Sequence, residues 1–359
     1  MNILIPVIVL ILLCVGYGFL LKHLALKGLT VERHFSSPAV YAGETGEMVE
    51  VVCNDRPLPV PWLRVESRIP AGIRLGRQAN MTVSGNLYYQ SMFMLLPFQR
   101  ITRHHHVRFV KRGRYDLGNA ALTAGDLLGF AVCGREQQMS VPLTVYPALP
   151  DEKDLPEPLT FLTGEWARQR QLLTDPFLYR GIREYRPGDP VRDIHWPASA
   201  RTGETMVRVH DPSARLKLLV VINSQLRADQ WENLMDYEQG TIENEISLAA
   251  GLCVTALRNG LEAGFAANMP EDGDKGTVIR LPEAGPGREE ELLSAFAGLR
   301  ILRTLSFTEF LRTIDVPEGT DVVILTSYTN EADDRQAERL RAEGCRVTVC
   351  VVPKAGEVS

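Results

Sequence analysis

The chain has 359 residues, enough for two or three domains that each bury a core. Its formal net charge of −5, from 39 basic and 44 acidic residues with no long Lys/Arg run, excludes a basic nucleic-acid-binding arm. The six cysteines, Cys14, Cys53, Cys133, Cys253, Cys345 and Cys350, sit mostly inside apolar runs without CxxC or Cys/His zinc spacing, which excludes a zinc module and predicts buried, reduced thiols as in the cytosol.

The first predicted element is a membrane-spanning helix. Ile3 to Leu21, ILIPVIVLILLCVGYGFLL, is uncharged, apolar on every face, and about as long as a helix must be to cross a bilayer. No basic stretch precedes it and no A-x-A site follows, so it reads as a retained anchor and not as a cleaved signal. Lys22, His23, Lys27 and Arg33 follow the run, which by the positive-inside rule predicts a single-pass cell-membrane protein with its bulk in the cytoplasm.

From 30 to 146 the chain alternates apolar and polar residues in short segments such as GEMVEVVCN, WLRVESRIP and HHHVRFVKRGRYDL. This predicts an all-β, immunoglobulin-like antiparallel sandwich, with RPLPVPW and LPFQR as loop or edge segments because proline cannot donate to a ladder. His104, His105 and His106 alternate across a strand, so at most two share a face, and they read as a solvated or partner-facing strand. Pro147 to Leu159, PALPDEKDLPEPL, is a proline-rich acidic connector.

Arg183 to Trp196, REYRPGDPVRDIHW, interleaves arginines and carboxylates around a Pro-Gly turn. Arginine forks pair bidentately with carboxylates, and Tyr185 and Trp196 supply apolar bodies, so the stretch predicts a partly buried ion-pair clasp between the sandwich and the following domain. The same arginines also suit a recognition surface for an acidic segment. The rival reading is a metal-dependent hydrolase using Asp189, Asp193 and His195, with Asp193 and His195 on one face of a strand. Against it, the chain has no GxSxG, P-loop, HExxH or GxGxxG motif, and Arg183, Arg186, Arg192, Arg201 and Arg208 would crowd a cation.

Beyond Arg215 the rhythm becomes strand, helix, strand: LKLLVVIN, then IENEISLAAGLCVTALRNG, AGFAANM, REEELLSAFAGLRIL, TDVVILTS, EADDRQAERLRAEG and CRVTVCVV. This predicts an open, mostly parallel α/β sheet. Acids in REEE favour a helix N-terminus, and Glu331 with Arg335 and Glu338 with Arg341 are same-face pairs on a solvated helix.

Gly181 to Asp211, GIREYRPGDPVRDIHWPASARTGETMVRVHD, resembles the signature of the bacterial family called domain of unknown function 58. KRGRYDLGNAALTAGDLLGF and VPWLRVESRIPAGI are similar to stretches that precede that signature. The resemblance implies a β-rich region, a C-terminal domain of von Willebrand factor A (Rossmann-like) type, and a MoxR-type AAA+ ATPase as neighbour and partner. It marks Arg183, Tyr185, Arg186, Gly188, Asp189, Arg192, Asp193, His195, Trp196, Ala200 and Arg201 as the binding or structural signature. In that fold an oxygen-rich loop holds a hard cation. Here the loop positions are Asn223, Gln225 and Arg227, with Thr326 after the later strand, so the resemblance implies a degenerate site; an arginine there would oppose an ion, and no metal or cofactor is expected.

Together these readings predict a multidomain chain: anchor at 1–29, β-sandwich at 30–146, connector and clasp at 147–214, and α/β domain at 215–359. The expected role is a membrane-anchored interaction adaptor or scaffold, not an enzyme, working with a MoxR-type ATPase in cell-envelope or stress physiology.

Overall fold

The computed structural model describes residues 28–76, 81–84, 88–125, 132–173, 181–186, 189, 191–209, 216–228 and 235–353, with Ile5, Val7, Ile8 and Gly16. The chain divides into two compact units, Met1–Ala148 and Leu149–Ser359.

The expected transmembrane helix needs correction. The described residues are mostly β with six α-helices, and none of those helices is long and apolar enough to cross a membrane. The longest, of 23 residues, has the length but carries Asp236, Glu238, Glu243, Glu245 and Arg258, whose charges bar it from hydrocarbon. Ile3–Leu21 lies outside the described residues except for Ile5, Val7, Ile8 and Gly16.

The first unit is built of short strands: β1 (Leu29–Phe35), β2 (Ala39–Tyr41), β3 (Thr45–Asn54), β4 (Val60–Arg68), β5 (Ile73–Leu75), β6 (Met81–Ser84), β7 (Tyr88–Leu95), β8 (Arg100–Phe109), β9 (Gly113–Asp116), β10 (Ala120–Gly125), β11 (Val132–Gln137) and β12 (Pro142–Tyr146). One sheet has the order β1-β3-β8-β5, a second β11-β10-β4-β7-β6, and a small third β2-β12-β9. Period-two alternation decides what is inside: Leu29, Val31 and Val52 of the first sheet share a core with Leu63, Phe93 and Leu122 of the second. The proline-rich RPLPVPW is not confined to a loop or edge, because β4 lies inside its sheet. Pro61 is tolerated there since the β4–β7 register shifts between Val60 and Leu63, so its missing N–H interrupts an already irregular ladder. Along β11, Arg135 Nη2 donates to the Leu29 carbonyl (2.9 Å) and Gln137 Nε2 to the Val31 carbonyl (2.7 Å), stitching the second sheet to the free side of β1.

Arg33 takes an inward slot on β1, not the juxtamembrane role its charge predicts. Its guanidinium gives Glu50 Oε1 two bonds, 2.9 Å from Nε and 2.7 Å from Nη2, and a third of 2.6 Å to Ser67 Oγ. Tyr89 also donates to Glu50 Oε1, and His105 Nε2 lies 3.3 Å from Oε2. Arg33 and Glu50 side chains are fully buried. His104 and His106 remain on the outward face beside Glu47, whereas His105 is buried.

The second unit begins with a helix where the sequence predicts only connector and clasp: α1 (Glu157–Leu173). Leu159, Leu162 and Trp166 are buried along it, at spacings of three and four that place them on one face. Next come β13 (Gly181–Glu184), α2 (Trp196–Thr202) and β14 (Met206–Val209), and then an open sheet. Its elements are β15 (Lys217–Ile222), α3 (Asp236–Arg258), β16 (Glu262–Ala267), β17 (Val278–Glu283), α4 (Arg288–Gly298), α5 (Phe307–Thr313), β18 (Thr320–Thr326), α6 (Glu331–Ala342) and β19 (Arg346–Val351). The strand order is β17-β16-β15-β18-β19, all neighbours parallel except β16 with β17. Chain order reverses between β15 and β18, so the carboxyl ends of these two strands form the edge at which such sheets place ligands.

Candidate functional site

The signature folds as a hairpin with a helical insert. β13 and β14 pair antiparallel from Gly181↔Val209 to Glu184↔Met206. At the turn, Arg183 Nη1 and Nη2 meet the two Asp189 oxygens at 2.7 and 2.8 Å, and Asp189 Oδ2 also accepts the Arg186 N–H at 2.7 Å. The Arg183 guanidinium and the Arg186 N–H hold the Asp189 carboxyl down to about 2. A 3-10 turn over Val191–Asp193 then leads to α2.

The helix is specified by its ends. His195 is the N-cap, its Nδ1 accepting the Ala198 N–H at 3.0 Å; Pro197 sits in the first turn, and Gly203 closes the helix at φ 79°. Ser199 Oγ donates to the His195 carbonyl at 3.1 Å and accepts the Met206 N–H at 2.8 Å, tying α2 to β14. Asp193 ends the 3-10 turn and His195 caps α2, and the strand geometry between them is reduced to one bridged residue, Ile194, opposite Val207 of β14. Tyr185, Arg186, Trp196, Ala200 and Arg201 are exposed. Gly188 and the side chain of Arg192 lie outside the described residues.

Arg183→Gln removes the main group holding Asp189 down. Its carboxyl is expected to titrate at higher pH, toward the ordinary value of ~3.9, as read by carboxyl-carbon NMR. The wild-type ion pair persists above its folded value and is lost as pH falls through about 2. A titration identical in both chains would show that the pair does not hold in solution.

At the carboxyl edge of the open sheet, Asn223 Nδ2 donates to Thr326 Oγ1 at 3.0 Å and Asn223 Oδ1 accepts the Gln225 N–H at 2.9 Å. Gln225 Oε1 accepts the Phe307 N–H at 2.7 Å, and Asn268 Oδ1 accepts the Ser224 N–H at 2.7 Å. A hard cation needs several free oxygens, and these amides and hydroxyls are spent on one another, so the set does not fit one. Arg227 does not point into the edge as its position implies: its side chain is 66% exposed and lies 3.9 Å from Glu238.

The residue that motif matching misses here is Glu245 of α3. It is buried and accepts a 2.5 Å bond from Ser327 Oγ just beyond β18. Burial pushes its carboxyl up to about 8 against the opposing pull of that bond. The signal was available: Glu245 lies within the buried stripe of Ile242, Ile246, Ala249 and Cys253.

A family model described as "Protein of unknown function DUF58" matches residues 181–293, from the signature hairpin into α4. The "Uncharacterized protein YeaD" of Bacillus subtilis (strain 168) is 21% identical over 259 residues, covering 70% of this chain and 58% of that protein. The chain thus spans less than two thirds of that relative's length. Among solved structures, an alpha-2-macroglobulin fragment from Escherichia coli is 19% identical, with 34% of this chain and 17% of that chain covered at a TM-score of 0.26. A non-cellulosomal cohesin from Archaeoglobus fulgidus is 9% identical over 32% of this chain and 91% of that one, with a TM-score of 0.21. Overlaps of this quality carry no argument about the present chain.

Proposed function

We propose that this chain is a protein-interaction adaptor whose partner docks on the signature hairpin. The observation that carries the reading is α2, which buries none of its seven residues and leaves Trp196 67% exposed. A helix of that length has no stability of its own, and a solvated tryptophan adds none. Tyr185 and Val191 are exposed with it, 37% and 69%, beside Arg186 and Arg201. Trp, Tyr and Arg are the residues that dominate interface energies when a partner covers them. The family resemblance favours a MoxR-type AAA+ ATPase as that partner, in cell-envelope or stress physiology. The strand order with one antiparallel edge strand supports reading the open sheet as von Willebrand A-like.

Trp196→Ala tests the docking role. Capture of the ATPase by tagged full-length chain is expected to weaken roughly 30-fold, the loss of about 2 kcal/mol typical of an interface anchor. The melting temperature should not change, because the side chain packs little in the free protein. Undiminished capture, or a large fall in melting temperature, would count against a docking role.

A further inference from the structure

The carboxyl edge of the open sheet is closed over a buried carboxyl that burial favours in its neutral form. Glu245 has one partner among the described residues, Ser327 Oγ at 2.5 Å, and its Oε2 is buried with none. Ser224 Oγ, at the end of the adjacent strand, is likewise buried without a partner. No lysine, arginine or histidine contributes to the Glu245 carboxyl. A buried carboxylate with one donor and no cation is costly, so the neutral acid is the form this pocket accepts.

We propose that Glu245 is a proton-operated latch: as a neutral acid it stays in its buried pocket, with Ser327 and the turn 327–330 held against α3; ionised, it is drawn out to water against the hold of the Ser327 bond, and the turn moves with it. The turn has a matching construction. Thr326 Oγ1 is shared between Asn223 Nδ2 and the Tyr328 carbonyl, so loosening Ser327 disturbs the bond joining the ends of β15 and β18. On its far side the turn is anchored independently, Asn330 capping α6 through Asp333 at 2.7 Å. The turn is therefore fixed at its Asn330 end and yields at its Thr326 end, and its opening exposes the edge where sheets of this order bind ligands.

The neighbouring ionisable groups do not duplicate this behaviour. Cys350 of β19 interacts with Glu245, but burial lifts its thiol to about 11. On α6, Asp333 is raised by burial and held by Thr308 and Asn330. Arg288 of α4 acts on Cys253, two turns further along α3, and Glu165 of α1 is engaged by Arg346 at 3.2 Å. Glu238, in the first turn of α3, faces Arg227 and Arg303. From β15, the polar groups at the edge are the neutral side chains of Asn223 and Ser224.

Hydrogen exchange of the amides at 326–330 in the full-length chain tests the latch, after division by the intrinsic pH dependence. Opening binds fewer protons than closure, so in wild type it should grow about tenfold per pH unit above the ordinary carboxylate range and level off near pH 8. Glu245→Gln should abolish the slope. Ser327→Ala, which removes the bond favouring the ionised form, should keep the slope and move the plateau to higher pH, and it serves if the glutamine variant does not fold. Asp333→Asn should keep both. Wild-type exchange that follows only the intrinsic dependence would overturn the latch, as would a slope that survives in Glu245→Gln or disappears in Asp333→Asn.

Discussion

Glu50→Ala is expected to destabilise the N-terminal unit by about 3–5 kcal/mol, as measured by urea unfolding of the full-length chain at neutral pH. The cost arises less from lost attraction than from what remains: Arg33, buried between two sheets with its guanidinium bonded to Glu50 and Ser67, would keep its charge and lose its counter-ion. Tyr89 and His105 would each lose a partner at the same time. Replacing both ions together, Arg33→Met with Glu50→Leu, should cost less than the single change, because no uncompensated charge is left. A double variant as unstable as the sum of the singles would show that shape, not charge pairing, decides this core.

The same cluster sets an acid limit. Burial alone would raise the Glu50 carboxyl, but His105, Arg33 and Tyr89 outweigh it and hold it down to about 2, below its ordinary 4.5. The stabilisation is therefore complete above pH 4.5 and lost as pH falls through about 2.

The second large effect is expected from Gly264→Ala in β16. A Cβ there would stand 2.2 Å from the Arg280 carbonyl oxygen and 2.6 Å from the Leu281 carbonyl carbon, both backbone atoms of β17. Backbone cannot rotate aside as a side chain does, so β17 must move. The β16–β17 register already shifts between Ala263 and Phe265, where this close approach occurs. A loss of about 1–3 kcal/mol or more is expected by thermal unfolding. Gly134→Ala in β11 is the control, since its Cβ would meet only the Leu122 carbonyl oxygen at an ordinary 3.8 Å. Equal losses at both positions would mean that removing glycine, not the approach of β17, is responsible.

Strands β15 and β18 were legible because a strand buried on both faces must be a continuous apolar run, and LKLLVVI and DVVILT admit few other readings. α3, α4 and α6 were legible from spacing and from acids at their starts. α1 was not, because Pro150, Pro156 and Pro158 make its approach look like linker; the 159, 162, 166 spacing lay just beyond. Arg33 and Glu50 were illegible for a different reason. An alternating strand carrying a charge looks the same whether that position faces water or a partner 17 residues away, and only the pairing of β1 with β3 distinguishes the two. In the signature, the Arg183–Asp189 pair could be anticipated from arginine chemistry. The strand geometry expected for Asp193 and His195 shrinks to a single bridged residue, Ile194, because HWPASARTG spells a capped helix that begins at Trp196.

The stitches from Arg135 and Gln137 onto β1 bear on how these molecules behave in a crowd. β1 is the outermost strand of its sheet, and an outermost strand ordinarily offers its carbonyls to any extended segment that drifts past. Here the Leu29 and Val31 carbonyls are already occupied, by side chains of the other sheet and not by a further strand. A second copy approaching along β1 would have to displace a guanidinium and an amide to pair at Leu29 and Val31. Strand-by-strand growth of copy upon copy is therefore obstructed along the first half of β1, where the carbonyls are already taken.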